Sequence, residues 1–316
     1  MSYTHPELTD IEIAAERIAP YAVKTPVRTD AAINEKFGAD IFFKCENVQK
    51  VGAFKFRGAC NAVFSLHDNE AEKGVATHSS GNHGAALSLA GSLKGIPVHV
   101  VMPNNAPKIK IANVEQYGAH ITLCEPTLEA RESTLEEIMD KTGAVMIHPY
   151  NDDRIICGQG TAARELLLEI PDLDVIMAPI GGGGLMSGTC IASKGLNPDI
   201  TIIGAEPKGA DDAYRSFIKG EIIPQTDPQT MADGLLTSLG DKTFPIIHTF
   251  VNDIVTVSES QIVEAMTIIH EKLDMIIEPS SAVVLGALLE RNDPFKNKKV
   301  GVILTGGNAD PDNLPW

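Results

Sequence analysis

Gly52-Ala53-Phe54-Lys55-Phe56-Arg57-Gly58-Ala59 sets a lysine between two phenylalanines, where a strand-like run (Ile41 to Cys45) gives way to an amphipathic helix. An ammonium among apolar neighbours loses hydration, so its pKa falls and the free amine becomes available as a nucleophile toward a carbonyl. The same residues also read as a surface lysine opening a helix beside Arg57. The rest of the chain has to decide between the two.

On the C-terminal side, strand-like runs at Gly74 to His78, Val98 to Met102, His120 to Leu123 and Val145 to His148 alternate with helical periods. Those helices fall at about Phe56 to Leu66, His83 to Leu93, Pro107 to Tyr117 and Leu128 to Lys141. A second series adds a helix from about Gly160 to Ile170, strands Val175 to Ile180, Thr201 to Ala205, Ile254 to Val257 and Val300 to Leu304, and helices Glu259 to Leu273 and Ser280 to Leu289. Short apolar strands separated by helices predict an α/β fold with doubly wound, mostly parallel sheets. Two lobes are expected, residues 1–73 and 145–316 as the larger and residues 74–144 as a smaller one inserted into it. The more polar segment Ala210 to Asp253 is expected to wrap the surface near the site.

The chain has 316 residues, 43% of them apolar, which suits one large domain or two that share a cleft. A net charge of -16 with no basic block argues against nucleic acid or an anionic membrane as partner. Cys45, Cys60, Cys124, Cys157 and Cys190 stand far apart, without zinc spacing, as reduced thiols of a cytoplasmic protein do. The N-terminus lacks the apolar core of a signal peptide and reads as a helix with Thr9 and Glu12 as capping box. No apolar run approaches the roughly 18 residues of a membrane span.

Val175 to Gly188 is a buried-strand pattern, the run Gly181-Gly182-Gly183-Gly184 and a helix start. Consecutive glycines let backbone amides converge, and with a helix N-terminus they make an anion cradle suited to phosphate. A dinucleotide site is one reading, with Gly182, Gly184 and Gly188 as a spaced fingerprint and Glu206 as ribose ligand. Met186 and Ser187 break the strict pattern, and no Gly-Lys-Ser/Thr of a nucleotide triphosphatase follows. Two more polar loops end strands: Ser79-Ser80-Gly81-Asn82-His83, suited to a carboxylate at a helix start, and Thr305-Gly306-Gly307-Asn308. A lysine, a carboxylate loop, a phosphate loop and a hydroxyl form the set that a pyridoxal phosphate enzyme needs.

With these residues in place, the chain resembles the serine racemase and serine/threonine dehydratase family of fold-type II pyridoxal phosphate enzymes over nearly its whole length. Lys44-Cys45-Glu46-Asn47, Gly52 to Ala59, Ser79 to His83, Gly158-Gln159-Gly160-Thr161, Gly181 to Gly184, Glu278-Pro279 and Gly306-Gly307-Asn308 recur in the family's order. The resemblance implies a tryptophan synthase β-like fold with the active site between the lobes. It implies that Lys55 carries the cofactor and moves the α-proton, that Phe54 packs on the ring, and that Gly181, Gly182, Gly183 and Gly184 hold the phosphate. Asn82 would bond the ring hydroxyl and Thr305 would face the ring nitrogen, where most relatives have serine. Ser79, Ser80, Asn82 and His83 would bind the substrate carboxylate, with Ser80 as second acid/base opposite Lys55. It also makes Glu206, the Ala210 carbonyl and Asp212 ligands of Mg2+ or Ca2+, the alternative being a solvated acidic turn.

The expected activity is β-elimination from L-serine or L-threonine to keto acid and ammonia, with racemisation of serine beside it, in a cytoplasmic homodimer. The alternative within the class is a 3-hydroxyaspartate dehydratase whose second carboxylate meets Arg131 or His148. The alternative outside it is a non-catalytic cofactor or dinucleotide binder. Ala53 stands where relatives often have serine. Ala85, where animal racemases have glutamine, argues against activation by ATP, and the few residues after Asn308 leave no room for an isoleucine-sensing domain.

Overall fold

The computed structural model describes residues 3–79 and 81–316. Its strands are β1 Val27–Arg28, β2 Asp40–Cys45, β3 Val75–His78, β4 Val98–Pro103, β5 His120–Cys124, β6 Val145–Met146, β7 Val175–Pro179, β8 Thr201–Pro207, β9 Asp253–Val257 and β10 Lys299–Leu304. They form a six-stranded sheet in the order β1-β2-β10-β7-β8-β9 and a four-stranded sheet in the order β5-β4-β3-β6. Every pairing is parallel except β1 with β2, in keeping with the doubly wound α/β reading.

Strand β7, Val-Ile-Met-Ala-Pro, is buried along its whole length because helices cover both faces of the sheet, the usual state of a parallel strand. On one face Met177, Val255, Val283 and Val302 share a core, and on the other Ile176, Ile202, Met186 and Ile303 do. The four-stranded sheet has its own core, with Phe56, Leu87, Val100 and Ile147 fully buried. Each such side chain contributes about 1.5–3 kcal/mol by leaving water. Register sets Leu304 beside Cys45 and Pro179 beside Ala205, so the loops after β2, β7, β8 and β10 open at one edge. That edge is where ligands sit in open α/β sheets.

Three expectations need correction. The helix expected from Gly160 begins at Asp153 and runs to Glu169. Gly158 and Gly160 obscured its period, and both serve contact: a Cβ on Gly158 would stand 2.5 Å from the Gly58 Cα, and one on Gly160 would stand 2.7 Å from the Gly188 carbonyl oxygen. The first helix, Leu8–Ile18, is capped by Glu7 with Asp10, because starting there turns Ile11, Ala14 and Ile18 to the core and leaves Thr9 in the first turn. The segment after Ala210 is more than a surface wrap. Its helix Thr243–Phe250 buries Ile246 and Ile247, and Ala232 and Leu235 join the core.

All five cysteines are free thiols and four are buried. Among the described residues no helix is long and apolar enough to cross a membrane.

Candidate active site

Lys55 opens the helix Lys55–Phe64 and donates from Nζ to the Pro149 carbonyl oxygen at 2.9 Å, with the Phe54 ring 5.1 Å away. Burial lowers its pKa to about 8, against a partial pull upward from the Glu278 carboxylate. An amine with that pKa is about one-tenth neutral at pH 7. The lysine is fixed to the end of β10 through its neighbours. Phe54 N–H donates to the Thr305 carbonyl at 3.0 Å, Gly307 N–H donates to the Gly52 carbonyl at 2.9 Å, and Thr305 N–H donates to Ser281 Oγ at 2.8 Å. Thr305 is buried beside them.

The glycine run follows β7 directly. Gly181, Gly182 and Gly183 are buried, yet their N–H groups meet no acceptor among the described residues. Buried amides almost always have partners, so three in succession mark an anion site. Gly183 holds a φ of +88°, open to glycine at little cost, and a Cβ on Gly182 would fall 2.3 Å from the Tyr150 ring. Tyr150 thus seals one side of the run while Thr243 Oγ1 donates to the Gly182 carbonyl at 2.8 Å on the other.

Across the cleft, β3 leads through Ser79 to the helix Asn82–Lys94, whose first amides have no partner within the helix. Ser80 lies outside the described residues. Ser79 N–H donates to the Val101 carbonyl at 3.1 Å. The Asn82 amide is committed across the cleft: Nδ2 donates to Glu278 at 2.8 and 3.2 Å, and Oδ1 accepts from Asn308 Nδ2 at 2.8 Å. Burial raises Glu278 to about 7, the Asn82 bond opposing it only in part. The His83 ring is 2% exposed, and burial lowers its pKa to about 3. Its Nε2–H donates to the Ile147 carbonyl at 3.1 Å, so Nδ1 carries a lone pair and has no partner among the described residues. That ring can offer no N–H to a carboxylate. The backbone amide of His83 is the donor available.

His148 Nδ1 accepts from Asn151 N–H at 2.9 Å, so its proton sits on Nε2, and burial with His78 and Lys55 nearby lowers its pKa to about 4. The His78 ring stands 6.4 Å from it, lowered by burial and by the charge of Arg131. Arg131, on the helix Leu128–Thr142, is thus within reach of His78 for its charge, and its buried Nε has no partner among the described residues.

Further along the same edge, Glu206 at the end of β8 is fully buried and accepts from Ala213 and Tyr214 N–H at 3.1 and 2.7 Å. Asp212 is 1% exposed, and neither carboxylate oxygen has a donor among the described residues. Burial raises both, Asp212 to about 7, and Glu206 is pushed further by the Asp212 charge. Ala210 is buried between them in sequence. Two buried carboxyls, one of them without a donor among the described residues, are not a solvated turn.

Sequence reasoning assigned no role to Glu278, Tyr150, Asn308 or the Pro149 carbonyl. Glu278 and Asn308 were marked only as members of the motifs Glu278-Pro279 and Gly306-Gly307-Asn308.

Comparison with known proteins agrees with this geometry. The family model "Pyridoxal-phosphate dependent enzyme" matches residues 18–306. The chain is 52% identical to the β-hydroxyaspartate dehydratase of Paracoccus denitrificans, over 98% of this chain and 99% of that one. The crystal structure of serine racemase from Dictyostelium discoideum superposes with a TM-score of 0.93 at 50% identity, covering 96% of this chain and 99% of the other. The structure of maize serine racemase does so with a TM-score of 0.95 at 46% identity, covering 98% and 95%. By the family model over most of its length and by these superpositions, the chain belongs to the fold-type II pyridoxal-phosphate-dependent enzymes.

Proposed function

We propose that the protein removes the α-proton of L-serine or L-threonine and expels the β-hydroxyl as water, giving a keto acid and ammonia, with racemisation of serine beside it. The observation that carries this reading is the desolvated Lys55 amine, aimed at the Pro149 carbonyl and tied to the end of β10 through Phe54 and Thr305. The residues fit pyridoxal phosphate. The unpartnered amides of Gly181 to Gly183, with Gly184 opening the next helix, suit its phosphate. Phe54 lies beside the lysine, the buried Thr305 would offer a neutral hydroxyl to the ring nitrogen, and Asn82 would exchange part of its bonding to Glu278 for the ring hydroxyl. When bound, the cofactor supplies the electron sink that makes the α-proton acidic.

The chain's own groups supply the rest. Lys55 holds a neutral amine fraction at physiological pH and is aimed by Pro149, so it can take the α-proton at Nζ. The amides at Asn82 and His83, with Ser79, hold the α-carboxylate at a helix N-terminus. Ser80 is assigned the second proton transfer, on the opposite face. Glu206, the Ala210 carbonyl and Asp212 are assigned to Mg2+ or Ca2+, supported by the burial of both carboxyls and by Asp212 oxygens that meet no well-formed donor among the described residues. A homodimer in the cytoplasm is the expected setting.

A second reading, 3-hydroxyaspartate as substrate, is favoured by Arg131, whose charge is felt at His78 and whose buried Nε has no partner among the described residues. Keto-acid release measured across the stereoisomers of serine, threonine and 3-hydroxyaspartate tests both. Turnover of serine or threonine with D-serine formation supports the first reading, turnover confined to hydroxyaspartate supports the second, and no keto acid from any of them sinks both.

A further inference from the structure

Lys44-Cys45-Glu46-Asn47 and Gly158-Gln159-Gly160-Thr161 carry no chemistry in the mechanism above, yet both motifs meet behind Lys55. Arg57 follows Lys55 by two residues on the same helix, so the two side chains leave the first turn on nearly opposite sides. Lys55 enters the cleft while Arg57 is fully buried beneath it. The Arg57 guanidinium donates to both oxygens of Glu46, at 2.7 and 2.8 Å, and to both oxygens of Glu165, each at 2.8 Å. It also donates to Thr161 Oγ1 at 3.2 Å and to the Val23 carbonyl at 3.3 Å. Lys44 Nζ completes the group, donating at 2.6 Å to Glu165 and at 2.6 Å to the Thr25 carbonyl. Burial would push Glu165 up, but the bonds and charges of Arg57 and Lys44 outweigh it and hold the carboxyl low.

We propose that this buried ion network is the positioning device for Lys55: Arg57, clamped by Glu46 and Glu165, sets the rotation and depth of the helix's first turn and hence the place of the lysine amine against the Pro149 carbonyl. The helix has no side-chain cap at Phe54 to do so. Gln159 adds a second restraint, its Oε1 accepting from Gly58 N–H at 3.1 Å. Stability alone is a poor reason for the network, because well-packed apolar side chains hold a core as well as four desolvated charges do. Apolar contacts slide, whereas a guanidinium forked onto two carboxylates allows one orientation. The inference rests on Lys55 being the cofactor-bearing lysine.

The test is Arg57→Lys, which keeps the charge and loses the fork. In the cofactor-free protein, the apparent pKa of Lys55, read from the pH dependence of its acylation and quantified by mass spectrometry, should rise by about one unit as the amine regains water. The dissociation constant for pyridoxal phosphate, read from visible absorbance, should rise roughly tenfold or more. A variant that melts lower but keeps both values overturns the proposal. Should Arg57→Lys fail to fold, Thr161→Val and Glu165→Gln, which each trim one partner, decide the matter. A rise of about threefold or more in the dissociation constant of either folded variant supports the network, and no change in both overturns it. Lys55→Ala separates the two layers: a covalent cofactor adduct on the protein after borohydride reduction of that variant sinks the assignment of Lys55, and the network's role with it.

Discussion

Glu278→Gln asks how much stability the active site forgoes. In the folded chain the carboxyl titrates at about 7 rather than 4.5, because burial outweighs the Asn82 bond. A raised pKa means that between pH 4.5 and 7 the folded protein keeps a proton that the unfolded chain has released. Stability must therefore fall as pH rises through that window, and the loss is complete above it. At about 1.36 kcal/mol per pKa unit the whole fall is about 3 kcal/mol, or roughly half that if water reaches the carboxyl. An unfolding entropy of about 2.1 cal/mol/K per residue converts this to about 2–5 °C for a chain of 316 residues. Glutamine keeps an oxygen for Asn82 Nδ2 and cannot ionise. Calorimetry of the cofactor-free proteins should find equal melting near pH 4.5 and the variant about 2–5 °C higher at pH 8. The Glu278 charge also holds the Lys55 pKa up, so the acid limb of the activity profile should move to lower pH in the variant. Parallel stability curves for parent and variant, or a variant less stable at pH 8, would refute the reasoning.

Lys55→Ala should abolish turnover and the visible absorbance that borohydride removes, and a reduced adduct recovered on another lysine would end the assignment. Exhaustive chelation should lower the melting temperature, with Mg2+ or Ca2+ at a hundred times its dissociation constant restoring about 2.7 kcal/mol, or about 4 °C. Asp212→Asn should lose that response, and a parent indifferent to chelation and free of metal by elemental analysis would leave the two acids without a cation. Ser80→Ala should stop racemisation and attack on D-serine while sparing elimination from L-serine, and equal loss of both would limit Ser80 to organising its loop. Arg131→Ala should cut kcat/KM for 3-hydroxyaspartate by more than roughly tenfold, since a lone buried carboxylate costs on the order of 2 kcal/mol. Equal losses on serine and threonine would remove the dicarboxylate reading.

Some of this site was written locally in the chain. A lysine between phenylalanines, four glycines after a buried strand, and polar residues at strand ends each demand a special local environment, and each leaves that demand in consecutive residues. The alternation of short strands and helices carried the sheets for the same reason. What the sequence hid was approach between distant segments. His83 and Asn82 stand where a carboxylate-binding loop needs them, but their side chains are taken by Ile147 and Glu278, partners that no spacing announces. Tyr150 was silent because its role is to fill the room the glycines leave.

The charges behind and around Lys55 follow one physical logic. Arg57, Glu46, Glu165 and Lys44 balance one another completely, and they lie on the side of the helix where geometry matters and protons do not move. In the cleft the balance is withheld. Lys55 has a carbonyl and a distant carboxylate, Glu278 has one amide, His148 is kept neutral, and Arg131 has no partner for its Nε among the described residues. Leaving these groups undersatisfied brings Lys55 and Glu278 close to physiological pH, about 8 and about 7, and leaves donors free for a substrate. Full pairing would make the fold more stable and the amine useless as a base, since a Lys55 salt-bridged to Glu278 would keep its proton. Asn82 works against that pairing: by donating across the cleft to both oxygens of Glu278 it gives the carboxylate another partner and leaves Lys55 to the Pro149 carbonyl.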